Sequence, residues 1–207
     1  MKFLAITLLL LTSIFLIACS ANQANKKISN SELENLAKQY GGVYIFDEKF
    51  EKEIEKIEAE RKELRKNTKG KDLGGGLYAV NTNLIDEKYP QTLSNGKKYY
   101  TRWIDYENQT GKEAKVPEFY INKIKEFMGE SNYDKSPNFP ILVMFYVDDN
   151  DKIVPIKLSM SYTYYKTKYG LFGDEGMGIR FKDEEQILIR GGNKFILIND
   201  KFTRVEK

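Results

Sequence analysis

The hydrophobic positions fall into three stretches with different rhythms. An uncharged apolar run, Phe3 to Ala18, comes first. A polar segment follows, Ser20 to Asn30, with Ile28 as its one large apolar residue. Beyond it, apolar residues recur at helical spacing and then, toward the C-terminus, at strand spacing. Ser31-Glu32-Leu33-Glu34 fits a capping box and predicts a helix over Glu32–Tyr40, stopped by Gly41-Gly42. Val43–Phe46 predicts a short strand. Asp47 is placed to cap a helix over 48–66, whose stripe of Phe50, Ile54, Ile57 and Leu64 is interrupted by Arg61. Acids crowd the first half of that helix and bases the second, as its dipole favours. Glu48–Lys52 and Glu58–Lys62 stand one turn apart. Pro117 opens a further helix to Met128, with Phe119 or Tyr120, Ile121, Ile124, Phe127 and Met128 as its apolar face and Gly129 as its stop.

Gly74-Gly75-Gly76 predicts a loop leading into a strand at Leu77–Val80. Asn95-Gly96 predicts a hairpin turn, followed by a strand over Tyr99–Tyr106 that holds Trp103. Ile141–Val147 is continuously apolar and predicts a strand buried on both faces. Asp148–Asp151 predicts a turn. The next strand alternates cleanly: Val154, Ile156, Leu158, Met160, Tyr162 and Tyr164 point one way, toward a core. Lys157, Ser159, Ser161 and Thr163 point the other, toward water. Gly170, Gly173, Gly176 and Gly178 predict a mobile loop, and Ile187–Ile189, Phe195–Ile198 and Phe202–Val205 predict short strands. These elements describe an α+β domain over residues 31–207. It would be an antiparallel meander of hairpins with two or three helices, mostly N-terminal, packed on it.

Composition narrows the chemistry. The chain has no histidine and one cysteine, Cys19. That excludes a Ser-His-Asp or Cys-His arrangement, a histidine metal site, a zinc finger and an internal disulfide. No catalytic residue, cofactor or metal site is predicted. The formal charge is +3, and +2 once residues 1–18 and their lysine are removed, which gives no basis for binding nucleic acid. Several motif fragments fail on context. The triple glycine follows a helix and precedes a strand, the reverse of a phosphate loop. Ser94-Asn95-Gly96-Lys97 has the Ser-x-x-Lys spacing of the nucleophile in β-lactamases and penicillin-binding proteins but lies on a turn, and the chain lacks their Ser-Asp-Asn and Lys-Thr-Gly partners. Asp148–Asp151 lacks the phase and the later glutamate of a calcium loop.

The N-terminus is more specific. Met1-Lys2, an apolar run too short to span a bilayer, and small residues at its end read as a secretory signal. Leu16-Ile17-Ala18-Cys19 resembles the lipobox of bacterial lipoprotein precursors. The resemblance covers residues 1–19 and implies a diacylglyceryl group on the Cys19 thiol, removal of 1–18 and acylation of the new amino group. Several acyl chains together hold a protein firmly to a membrane. Residues 19–30 would then be the lipidated cysteine and a flexible tether. Ser20, where an aspartate would retain the protein at the inner membrane, favours the outer membrane in a Gram-negative host.

Three functions stay open at this stage. The first is a lipid-anchored envelope protein that binds or supports an envelope protein or glycan without catalysis. Its candidate surface is Tyr165, Lys166, Lys168 and Tyr169, where aromatics alternate with cations. The second is an envelope hydrolase using a carboxylate pair, which needs two facing carboxylates in a cleft, one of them desolvated. The third is an assembly factor working through the charged 48–66 helix, which exposed Phe50, Ile54 and Ile57 would favour.

Overall fold

The computed structural model describes residues 28–79, 81–136, 139–174 and 178–205. The predicted signal peptide, Cys19 and the tether up to Lys27 lie outside the described residues. The first helix, α1 (Asn30–Tyr40), starts earlier than its sequence suggests. Both Ser29 and Ser31 stand three residues before a glutamate, and Ser29 is the cap, its hydroxyl accepting from the Glu32 amide at 3.2 Å. Ile28 packs on the core, so the folded part begins inside the predicted tether.

After α1 come β1 (Gly42–Ile45), α2 (Glu48–Asn67), β2 (Lys71–Gly74), β3 (Leu77–Ala79), α3 (Asn83–Lys88) and β4 (Tyr99–Tyr100). Next are α4 (Trp103–Thr110), α5 (Glu118–Met128) and α6 (Glu130–Asp134). The chain ends with β5 (Ile141–Val147), β6 (Ile153–Met160), β7 (Tyr162–Asp174), β8 (Gly178–Ile189), β9 (Asn193–Ile198) and β10 (Lys201–Val205). Six strands form one sheet in the order β10-β9-β1-β6-β5-β4. Its pairs are antiparallel except β1–β9, which is parallel. β2–β3 and β7–β8 are separate two-stranded ribbons.

The class is α+β, as predicted, but the helices are more numerous and run from residue 30 to 134 rather than gathering at the N-terminus. The predicted strand over 99–106 is two residues long and gives way to α4 at Trp103. Tyr100 and Tyr106 pack their rings on Phe145 from the strand and the helix respectively, an arrangement that sequence alternation does not reveal. The triple glycine is the turn of the β2–β3 ribbon.

Helices cover both faces of the sheet. On one, Tyr44, Leu142, Phe145, Leu158, Met160 and Phe195 pack beneath α1, α4, α5 and α6. Ile124 and Met128 of α5 reach this core, as the sequence indicated. On the other, Ile54 of α2 packs with Leu93, Tyr99 and Ile156, flanked by Phe50 and Ile57. β6 therefore does not keep one parity. Its pairing with β5 skips Val143 on one strand and Ile156 on the other, a bulge in each. A bulge places two successive side chains on one side. Ile156 and Lys157 both turn toward α2, while Leu158 and Met160 turn toward the first core. The face predicted to meet water is covered at Lys157, which lies under α2.

Candidate functional site

The arrangement most open to a partner is the β7–β8 ribbon. Its root is tightly built. Tyr162 is buried and Tyr164 half-buried against α1, as their parity predicts, and the Tyr164 hydroxyl donates to Glu34 at 3.4 Å. Where β8 returns to the sheet, Gly191 adopts a positive φ of 69°. A Cβ there would stand 2.1 Å from the Ala37 carbonyl oxygen and 2.3 Å from that of Gly41. The Asn193 side-chain amide donates to the carbonyls of Lys38 and Gly41 at 2.9 and 2.7 Å. Only a glycine lets the end of α1 and the start of β9 come this close.

Beyond the root nothing among the described residues covers the ribbon. The predicted glycine loop is strand through Gly170, Gly173 and Gly178, with a bulge between Tyr169 and Phe172; Gly176 lies outside the described residues. The candidate residues Tyr165, Lys166, Lys168 and Tyr169 all sit here and all are exposed. They do not form one surface. Lys166 and Lys168 lie opposite Glu185 and Asp183, while Tyr165 and Tyr169 lie opposite Gln186 and Lys182. Opposed residues share a face, so the cations point one way and the tyrosines the other. Lys168 pairs with Glu185 at 2.8 Å, Lys182 with Glu184 at 2.7 Å and Arg180 with Asp183 at 2.8 Å. The charges of the arm are largely matched among themselves. Its apolar residues are not: Tyr169 is 82% exposed, Phe181 75%, Ile179 74% and Leu171 71%. Of these four, sequence reasoning singled out Tyr169 alone, because a glycine-punctuated stretch without a core face reads as loop.

The other candidate places resolve into internal structure. A cleft of about 530 Å³ between the 112–117 segment and the β5–β6 turn holds Glu113, Asp148 and Asp151. Each is engaged: Glu113 with Lys115 at 2.8 Å, Asp151 with Lys112, and Asp148 with the amides of Asn150 and Lys152 at 2.9 Å. The Lys152 amide bond holds Asp148 below its ordinary range. Glu48 and Glu185 are likewise lowered, by Lys52 and Lys168. Every described carboxyl whose pKa departs from the ordinary value moves down. The Ser94 hydroxyl donates to Glu53 at 2.9 Å and the Lys97 amine pairs with Asp149, so no serine–lysine couple forms.

Two buried charge clusters underlie α2. Glu51 is fully buried, with Lys157 at 2.7 Å on Oε1 and Lys194 at 3.1 Å on Oε2. Oε1 takes no well-aligned hydrogen bond, so the ion pair alone compensates it. Burial would lower Lys157, but Glu51 and Glu55 together hold it above the ordinary lysine value. Arg61, the interruption in the predicted stripe, donates to Asp86 at 2.6 Å and to the Tyr89 carbonyl. Glu58 does not pair with Lys62 as spaced; it accepts from Tyr99 at 2.9 Å and Gln91 at 3.1 Å. Both clusters join α2 to its own sheet and loops. Ile54 is buried and Phe50 and Ile57 half-buried there, so the stripe an assembly factor would offer is already covered.

Among the described residues no group of three or more Cys, Asp or Glu is placed to hold a metal ion, and no helix is long and apolar enough to cross a membrane. The chain matches no family model, no curated protein and no solved structure.

Proposed function

We propose that this chain is an exported, lipid-anchored protein of the bacterial cell envelope, held through Cys19, that acts as a non-enzymatic binding or interaction module. Ser20 favours the outer membrane as the site of the anchor if the host is Gram-negative. One observation carries the binding half of this reading. The β7–β8 ribbon extends past its last core residue with large apolar side chains uncovered, and a lone two-stranded ribbon is at best marginally stable in water. Exposed apolar groups of this size on a charged protein mark a contact surface. The hydrolase reading is not taken up, because the acids of the cleft, Glu113, Asp148 and Asp151, are each engaged by a neighbouring lysine or by backbone amides rather than facing one another as a pair.

Two measurements test the proposal. Cys19→Ser is expected to leave an unprocessed precursor without acyl label; normal cleavage and labelling of the variant would overturn the anchor. A photocrosslinking residue at Tyr169 is expected to give discrete adducts in cells, and the same residue at the exposed Leu84 none. Equal, sparse adducts from both positions would overturn the binding role of the arm.

A further inference from the structure

The distal arm is apolar on both faces. Tyr169 projects on one side of the ribbon, and Ile179 and Phe181 on the other, since they share the parity of Asp183. Leu171 stands exposed at the bulge between them. A second sheet or a flat protein surface covers one face of a ribbon and leaves the other in water. A two-sided apolar end is covered on all sides by a medium that flows around it. The headgroup–acyl boundary of a bilayer is such a medium, and it accommodates tyrosine and phenylalanine rings together with the aliphatic stems of Arg180 and Lys182.

The position of the arm relative to the anchor fits this. From Cys19 to Ile28 the chain reaches at most about 30 Å. Ile28 is seated on the core at the start of α1, the helix that packs on the root of β7. The arm from Tyr164 to Asp174 is about 33 Å long. A domain tethered at Cys19 is thus never farther from its membrane than roughly one arm length. The acids of β8, Asp183 to Glu185, lie on the root side of the apolar cluster, while Asp174 ends β7 beyond it, which confines the contact to the headgroup layer, where a carboxylate stays hydrated. The Arg180–Asp183 ion pair beside Ile179 and Phe181 keeps the contact at headgroup depth rather than in hydrocarbon.

We infer that the distal arm, through Tyr169, Leu171, Ile179 and Phe181, inserts at headgroup depth into the same membrane that holds Cys19, a second attachment that orients the domain. This rests on the lipid-anchor reading. The test uses the processed full chain purified from bacterial membranes and reconstituted in phosphatidylcholine vesicles. Trp103 is the only tryptophan, so Trp103→Phe with Phe181→Trp moves the probe to the arm. Its emission is expected to shift to the blue and to fall about two-fold when the acyl chains are brominated. Leu171→Asp with Ile179→Asp added is expected to abolish the quenching. Leu188→Trp in the Trp103→Phe background, at the root, is expected to show none. Mass spectrometry of the Cys19 peptide reports lipidation separately. A lipidated protein with an unquenched, solvent-like tryptophan overturns the insertion. A blue-shifted, unquenched signal that grows with protein concentration overturns it in favour of a second copy. Quenching on added vesicles without lipid on Cys19 sinks the anchor reading and keeps the contact, whereas loss of both overturns both.

Discussion

β6 and β7 are consecutive strands separated by Ser161 alone, and they meet opposite fates. β6 is covered on both faces, by α2 on one and by α1 and α5 on the other. β7 has a single covered face, and only as far as Tyr164; beyond that neither is covered. Composition does not separate them, since β7 and its partner β8 carry Tyr, Leu, Phe and Ile freely. The difference is whether a helix has a path over the strand. α1 lies over the root of the ribbon and ends there at Tyr40, and no element among the described residues lies over the rest.

The sharpest way to break this comparison is one charge placed in each strand system. Leu158→Asp puts an unpaired carboxylate between β1 and β5 in the core and is expected to cost about 5 kcal/mol or more, enough to unfold a domain of ordinary stability. Phe181→Asp in the arm is expected to change stability by less than about 0.5 kcal/mol. Chemical denaturation of the two variants measures both. Equal losses would mean the arm is packed and the contrast false.

A smaller effect sharpens the same contrast through charges. Glu51→Ala leaves Lys157 beneath α2 with Glu55 as its remaining partner, and about 3 kcal/mol is expected to be lost. Glu185→Ala removes the partner of Lys168 in the arm, an exposed and solvent-screened pair, and denaturation should find no measurable loss. A neutral Glu51→Ala would show that Lys157 and Lys194 reach water on their own.

The mildest test is alkaline titration. Burial raises the Tyr44 and Tyr162 phenols above their ordinary value of 10.0, and Glu51 and Glu55 raise Lys157 above 10.5 against the opposing effect of its burial. A group raised on folding stabilises fully below its unfolded pKa. That contribution shrinks as pH climbs from the unfolded toward the folded value. Thermal melting is expected to hold level through pH 9 and to fall as pH rises beyond about 10. In the same titration of the Trp103→Phe, Phe181→Trp variant, emission from the arm tryptophan is expected to stay unchanged until the domain melts. A melting point that rises above pH 10 would contradict the burial of these groups.

Several element ends were legible because their signals are local, whereas the strand order and the parallel β1–β9 pair, which break the expected antiparallel meander, were not. Asp47 caps α2 through the Phe50 amide at 2.9 Å, Gly129 ends α5, and Asn199-Asp200 turns between β9 and β10 with positive φ at both residues. Each of these depends on residues three or four apart. α4, by contrast, opens with tryptophan and isoleucine, strand formers whose pattern matches a strand as well as a helix, and in the helix Tyr106 packs on Tyr100 and Phe145, contacts that the local sequence does not encode. Arg61 showed in the sequence as the interruption of the α2 stripe and Glu51 gave no signal, and both are buried because their partners come from β6, β9 and the 86–89 segment.

The candidate surface divides in the same way. Alternation alone placed Tyr162 and Tyr164 inside and Tyr165 to Tyr169 outside, since the two-residue period of a strand is a property of its backbone. The absence of histidine, and of any thiol besides Cys19, likewise follows from the chain without its fold. Tertiary structure alone decided that the glycine-rich stretch is a paired ribbon, that its tyrosines and lysines part to opposite faces, and that β6 changes parity at Ile156. Pairing register and bulges arise between strands distant in sequence, so their energies belong to two segments at once and are written in neither.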